Sequence, residues 1–290
     1  MHPDQVDVTE ATARTLVTEQ FPQWRNLSVR RIAASGTVNA IFRIGDSLVA
    51  RFPLQPGDPG AVAREARAAK EILGRTRFPT PEPVALGRPG HGYPMPWSVQ
   101  TWLPGTPATD VDAASVPFAL DLAEFIRGVR AIDPRGRTFT GTGRGGTLRS
   151  HDAWMATCIE KSEDLLDARE LRRSWARYRE LPPNRLAVMN HGDLIPGNVL
   201  VADGRLTGVL DVGGLTAADP ALDLVAAWHL LDEGPRAAFR ADLGCDDAEW
   251  ERGKAWAFQQ AMGLVWYYVE SNPPMSRTGR RTLERILRDG

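Results

Sequence analysis

Asp193, Asn198 and Asp211 are the residues of this 290-residue chain whose types and spacing can do chemistry. They lie in His191-Gly192-Asp193-Leu194-Ile195-Pro196-Gly197-Asn198 and, shortly downstream, Asp211-Val212-Gly213. A hairpin is expected between the two segments. Residues 199–201 read as a strand, Asp203-Gly204 as a tight turn, and residues 206–210 as the returning strand. A hairpin brings its ends together, so the two carboxylates and the carboxamide are expected to converge. Three oxygen-bearing side chains suit a hard cation such as Mg²⁺, which takes one or two carboxylates together with substrate phosphates. In phosphoryl transfer one Asp orients the attacking hydroxyl while Asn and Asp hold the metal.

The segment resembles the catalytic and metal loops of the aminoglycoside phosphotransferase family, the small-molecule branch of the protein-kinase-like fold. The protein-kinase pattern is His-Arg-Asp, four residues, Asn, then Asp-Phe-Gly. Here Gly192 replaces the Arg, four residues still separate Asp193 from Asn198, and Val212 takes the middle place before Gly213. Both departures are of the small-molecule type. The resemblance implies an α+β, two-lobed protein-kinase-like fold. Its small β-rich N-terminal lobe would span residues 1–102, and its larger, mostly helical C-terminal lobe residues 103–290. It implies Asp193 as catalytic base and Asn198 and Asp211 as Mg²⁺ ligands. The implied reaction moves the γ-phosphoryl group of ATP or GTP to a hydroxyl of a small molecule, an aminoglycoside or other antibiotic first among the acceptors. A kinase of a choline- or sugar-like alcohol and a regulatory, nucleotide-binding pseudokinase stand as alternatives. A protein kinase fits less well, because no Ala-Pro-Glu segment follows Asp211 and little room precedes Asp219-Pro220.

On the nucleotide side, Ser35-Gly36-Thr37-Val38-Asn39 falls where the family folds a loop over the phosphates. Gly36 permits close backbone approach, and Ser35, Thr37 and Asn39 complete the candidate turn. By itself one glycine is an ordinary turn signal. Kinases place a Lys on the third strand, paired with a Glu on the next helix. Residues 48–52 offer Arg51 instead, with Glu65 downstream as its natural partner. Arg is permanently charged and grips phosphate or carboxylate through a planar fork, so the role is feasible but not equivalent. Residues 99–103 fall at the connection between lobes, where the family holds the purine by backbone groups. Thr101 and Leu103 are assigned to that contact. Backbone recognition leaves the choice of adenine or guanine open.

The elements that must carry these residues follow from pattern. A helix is expected over residues 8–20 with Thr9 as N-cap, and strands over 27–34, 40–44 and 47–52. A helix over 61–73 and strands over 84–86 and 97–102 precede the turn signal Leu103-Pro104-Gly105. Helices are then expected over 114–132, 152–181, 220–231, 235–243, 247–270 and 277–287. Residues 141–146 form a glycine-rich loop, read as mobile and near the acceptor. Asp219 reads as an N-cap for Pro220, and Asp223 as a brace for the catalytic loop. Trp228, Trp256, Trp266, Tyr267 and Tyr268 suit a helical core better than a pocket wall. Asp232, Glu233, Asp246, Asp247, Glu249, Glu251 and Glu270 suit solvated helix faces better than a trap for a cationic acceptor.

Bulk properties bound the rest. A formal charge of −1 recommends neither nucleic acid nor an anionic membrane as partner. Two cysteines are too few for a disulfide framework and fit a cytoplasmic location. The first ten residues read as no signal peptide, and residues 222–231, the longest apolar run, are too short to span a bilayer. His191 and Asp193 lack a third ligand at a familiar Zn²⁺ spacing. Oligomeric state leaves no mark in the sequence.

Overall fold

A computed structural model describes residues 6–32, 38–109, 115–184 and 186–289. The architecture is α+β, in two compact units. The first comprises Met1–Leu73, Pro79–Pro104 and Leu210–Gly213; the second comprises Gly74–Phe78, Gly105–Val209 and Gly214–Gly290.

In the first unit α1 (Glu10–Gln20) starts where Thr9 accepts the Thr12 N–H at 3.1 Å, the cap anticipated from sequence. Strands β1 (Val29–Ile32), β2 (Asn39–Ile44) and β3 (Leu48–Pro53) follow, then α2 (Ala61–Ile72), β4 (Pro83–Gly87) and β5 (Trp97–Thr101). They form one antiparallel sheet in the order β1-β2-β3-β5-β4. Alternation along β2 and β3 sends Phe42, Ile44 and Phe52 to one face, where they pack with Leu16 and Val17 of α1 and with Trp97. Phe52 stacks on Trp97 at 4.6 Å between ring centroids. A Cβ on Gly87 would sit 1.9 Å from the Trp97 ring, so only glycine admits the indole there. Arg51, next to Phe52 in the strand, is sent to the opposite face.

The second unit opens with β6 (Thr106–Pro107) and α3 (Val116–Arg130), then α4 (Asp152–Lys161) and α5 (Ala168–Tyr178). The single helix expected over 152–181 is therefore two. Ser162 closes α4, and the Asp167 carboxylate caps α5 by accepting the Arg169 and Glu170 N–H groups at 2.9 and 3.2 Å. A capping side chain offers the backbone an alternative to continuing the helix. Next come β7 (Val188–Asn190), β8 (Val199–Ala202), β9 (Arg205–Val209) and β10 (Thr216–Ala218), then α6 (Val225–Leu230), α7 (Glu233–Leu243), α8 (Asp247–Tyr267) and α9 (Pro273–Arg288). The expected hairpin is present as β8 and β9, with Asp203 and Gly204 both at positive φ (51° and 69°). Two positive φ values match the strand twist across a two-residue loop. The pair β7–β10 was not anticipated, since three-residue strands are too short to show a period.

Asp121, on α3, fastens that hairpin. Its carboxylate accepts from Arg205 Nε and Nη2, both at 2.6 Å, from the Leu206 N–H at 3.2 Å and from Arg77 at 2.7 Å. Burial works against the charge, but these bonds outweigh it and hold the carboxyl below the usual range. Helices α8 and α9 pack closely because Gly279 leaves room for the Ala261 carbonyl, which a Cβ would approach to 2.9 Å.

Candidate active site

Asp193 follows β7 in a loop whose backbone is fixed from beneath. Asp223, fully buried in the 3₁₀ turn Pro220–Leu224, accepts the His191 and Gly192 N–H groups on its two oxygens, each at 2.8 Å. Burial raises the Asp223 pKa, while His191 and the two backbone donors act in the opposite direction. The turn itself starts at Asp219, which accepts the Ala221 N–H at 3.0 Å and pairs with buried Arg252 at 2.9 Å. Cap and brace are thus as read from the sequence. Gly192 adopts φ 84°, a conformation costly for other residues, and His191 Nδ1 accepts the Asp193 N–H at 3.2 Å.

Three donors orient the Asp193 carboxylate, whose side chain is 39% exposed. Oδ1 accepts from Arg144 at 3.0 Å and from Gln260 at 2.6 Å; Oδ2 accepts from Asn198 Nδ2 at 3.0 Å. Asn198 also donates to the Asp193 carbonyl at 2.9 Å. With its amide nitrogen committed to two acceptors, Asn198 directs Oδ1 away from Asp193, as a hard-cation ligand requires. An ionised carboxylate offers about four acceptor positions. Among the described residues three are filled, and the one left is on Oδ2.

Arg144 and Gln260 were missed in the sequence. Arg144 sits in the glycine-rich loop expected to be mobile, but that loop is anchored. The Gly145 carbonyl accepts the Asp219 N–H at 3.0 Å, and a Cβ on Gly145 would lie 2.7 Å from Ala218 Cβ. His151 accepts nothing from the loop; its Nε2 lies 3.2 Å from the Gly143 carbonyl as donor. Glycine content signalled a loop, and it equally signals close packing. Gln260 lies in the interior of α8, where no local pattern separates a working amide from a packed one.

In the first unit Arg51 reaches Asp211, with Nη2 2.8 Å from Oδ1, rather than pairing directly with Glu65. Glu65 lies close enough that Arg51 and Asp211 pull its pKa in opposite directions, with burial the largest cause and the net shift upward. Asp211 has φ 57°. A Cβ on Gly213 would come within 2.8 Å of Glu65 Cβ, so glycine lets α2 press on this turn. Asn39 begins β2 opposite Pro53, while Ser35, Gly36 and Thr37 lie outside the described residues. Thr101 commits its N–H to the Glu82 carbonyl and Trp102 its N–H to Ser47, both within 2.9 Å. Among the described residues the Leu103 N–H meets no backbone carbonyl.

Among the described residues no group of three His, Cys, Asp or Glu side chains forms a metal cluster. The model of the phosphotransferase enzyme family matches residues 28–256, most of the chain. The chain belongs to that family.

Among its relatives, aminoglycoside 3'-phosphotransferase of Escherichia coli is 38% identical over 58 residues, 20% of this chain and 21% of the relative. That of Streptomyces fradiae is 41% identical over 83 residues, 25% of this chain and 31% of the relative. The matches thus span between about a fifth and a third of the curated relatives' length. Likeness of fold extends much further. The GDP complex of aminoglycoside 2'-phosphotransferase-IIIa superimposes with TM-score 0.71 at 20% identity, covering 98% of this chain and all of that one. Macrolide 2'-phosphotransferase MphH of Brachybacterium faecium gives 0.64 at 18% identity, covering 94% and 98%. The two-lobed phosphotransferase fold of the family member is the fold expected from His191 to Gly213.

Among the described residues no helix is long and apolar enough to cross a membrane. Neither cysteine is in a disulfide. The aromatic set divides: Trp228 and Trp256 are fully buried core, while Tyr267 is exposed and forms a ring cluster with Trp266 and Tyr268. Most acidic residues of 232–251 are engaged locally. Asp232 pairs with Arg285, Asp247 with Arg240 and Glu249 with Arg130, and Asp246 caps α8.

Proposed function

We propose that the protein transfers the γ-phosphoryl group of ATP or GTP to a hydroxyl of a small antibiotic-like molecule. The observation that carries this reading is the unfilled acceptor position on Asp193 Oδ2, on a carboxylate otherwise held by Asn198, Arg144 and Gln260. An acceptor hydroxyl donates its hydrogen to that position, which aims the oxygen lone pair at the γ-phosphorus. As the O–P bond forms and the bond to the β-phosphate oxygen breaks, the proton passes to Asp193 and the nucleoside diphosphate leaves. Catalysis of this kind rests on positioning and on charge neutralisation. Asn198 and Asp211 are the residues that hold Mg²⁺, which neutralises phosphate charge when bound. Arg51 then exchanges its carboxylate partner for phosphate oxygens. Leu103 binds the purine by its backbone, with Thr101 as neighbour. Ser35, Gly36, Thr37 and Asn39 cover the phosphates, and Glu65 steadies the Arg51 side of the turn. Free thiols and a nucleotide co-substrate agree with a cytoplasmic location.

For the acceptor, an aminoglycoside is the first choice, because both curated relatives carry that activity in their names. A macrolide is the second, and one feature favours it. Gly263 and Tyr267 follow Gln260 on the same face of α8, and Trp154, 41% exposed, packs against Gly263. An aromatic surface therefore starts one turn from the residue that touches Asp193. The test is a panel of aminoglycosides, macrolides, choline and sugars, assayed with ATP and with GTP, with Mg²⁺ and with chelator. Metal-dependent phosphorylation of an antibiotic supports the reading. Tight nucleotide binding without transfer to any acceptor would replace it with the pseudokinase.

A further inference from the structure

We propose that Gln260 is a positioning residue for Asp193, locked in one orientation by buried His229 and Thr282, and that this lock sets the turnover rate. The effect on rate rests on the phosphotransferase reading above; the orientation rests on hydrogen-bond chemistry alone.

A carboxylate only accepts, so Gln260 must present its NH₂ group to Asp193 Oδ1, 2.6 Å away. Its Oε1, which also only accepts, then faces His229 Nε2 at 3.1 Å. That contact is favourable only if Nε2 carries the proton. His229 is buried, and burial, assisted by Arg144 and Arg285 and opposed by the Gln260 bond, pushes its pKa down to about 3. The ring is therefore neutral and its other nitrogen bare. Nδ1 lies 2.8 Å from Thr282 Oγ1, which supplies the missing donor. The hydroxyl has a single hydrogen and the Thr278 carbonyl lies equally near, at 2.8 Å, but turning the hydrogen there would leave the bare Nδ1 facing another lone pair, whereas the carbonyl keeps its α9 backbone N–H. Every hydrogen thus points one way, from Thr282 on α9 through His229 on α6 and Gln260 on α8 to Asp193.

The neighbouring residue makes a similar contact at its nitrogen only, its Oε1 having no partner among the described residues. Gln259 donates to His151 Nδ1 at 3.2 Å, and His151 Nε2 donates to the Gly143 carbonyl at 3.2 Å, beside Arg144. Burial lowers the His151 pKa as well. Both donors on Asp193 Oδ1 are consequently traced to adjacent glutamines of one helix, each matched to a histidine. A buried amide in a helix interior is costly unless its bonds are made, and Gln260 has a partner at each end. A lone amide would rotate between two orientations, one of which turns its oxygen toward the carboxylate.

The orientation is read directly by long-range ¹H–¹⁵N spectra of the histidine rings, with His229 assigned by a His229→Gln variant. The expected result is a neutral ring protonated on Nε2 throughout pH 5–8. A ring protonated on Nδ1, or cationic at pH 5, overturns the lock. For the rate, Gln260→Leu is expected to lower kcat by about 10-fold to 100-fold, the scale of a slightly misplaced catalytic group. KM for nucleotide and acceptor should stay within about twofold, and thermal unfolding should show the variant folded. His229→Leu should act in the same sense, add nothing in the double variant with Gln260→Leu, and be rescued by His229→Gln, whose amide offers a donor where Nε2 stood. Unchanged kcat in Gln260→Leu, or full additivity of the two losses, refutes the proposal. A wild-type protein that phosphorylates nothing refutes the phosphotransferase reading instead, and the ring spectra still decide the lock.

Discussion

The loop at Asp193 and the turn at Asp211 each bind a carboxylate to an arginine, but only Asp193 is also held by two amides. Around Asp193, backbone and side chain are both fixed. Asp223 takes two N–H groups beneath the loop, and three side chains bind the carboxylate above it. At Asp211 the backbone is bent to φ 57°, and one guanidinium nitrogen of Arg51 holds one carboxylate oxygen. Two of the three groups on Asp193 are neutral amides, which keep their partners whatever ligand arrives, and they stand beside the Arg144 ion pair. At Asp211 the Arg51 pair dissolves once a cation and a phosphate come to replace its halves. The difference separates two tasks. A group that receives a proton must not move, whereas a group that binds a charged ligand needs a partner it can exchange.

The sharpest way to break this comparison is Asp193→Ala. Transfer is expected to fall on the order of 10³-fold, the usual scale for losing a positioned base. Nucleotide affinity, measured by calorimetry, should hardly change, because the phosphates are bound elsewhere. Near-normal turnover would remove Asp193 from the mechanism. Asp223→Asn comes next. Its amide would face one of the two N–H groups with another donor, at a cost of about 1–3 kcal/mol. Urea unfolding should show a lower midpoint, and kcat should fall with KM nearly constant as the loop loosens. A loss confined to stability would show that Asp193 stays in place without its brace.

The legibility of the two regions differs for the same reason. Asp193, Asn198 and Asp211 stood out because reaction chemistry dictates both their types and their spacing along one stretch. The hairpin between them was readable from Asp203-Gly204, and the brace from its place after Asp219-Pro220. Arg144 and Gln260 were not readable. They lie far from Asp193 in sequence, one in a loop that glycines let fold inward and one among the buried residues of α8. The split of residues 152–181 escaped for a related reason. Asp167 is an unremarkable helix residue until its carboxylate captures the Arg169 and Glu170 N–H groups. Long-range partners decide such cases, and pattern along the chain does not record them.

Asp211→Asn tests the exchangeable side. Without its charge the residue is a weaker ligand for a hard cation, and Mg²⁺-dependent nucleotide affinity should fall about 10-fold to 100-fold. Metal-free affinity should hold or rise slightly, since Arg51 is released from its pair. Equal losses with and without Mg²⁺ would place Asp211 in the architecture of the turn instead of at the metal.

The smallest effect is expected from Arg51→Lys. The contact with Asp211 uses one nitrogen of the guanidinium, Nη2, and not the parallel fork that makes Arg distinctive. A lysine ammonium supplies the same charge from the same face of β3, the arrangement protein kinases use. Nucleotide KM should rise only a few-fold, by roughly 2-fold to 5-fold, with kcat barely altered. Arg51→Met, which keeps the stem and drops the charge, should cost far more. If lysine and methionine proved equally damaging, the planar fork itself would be at work on the phosphates. Arg51 would then belong with the fixed groups around Asp193, and the contrast between the two regions would fail at its exchangeable end.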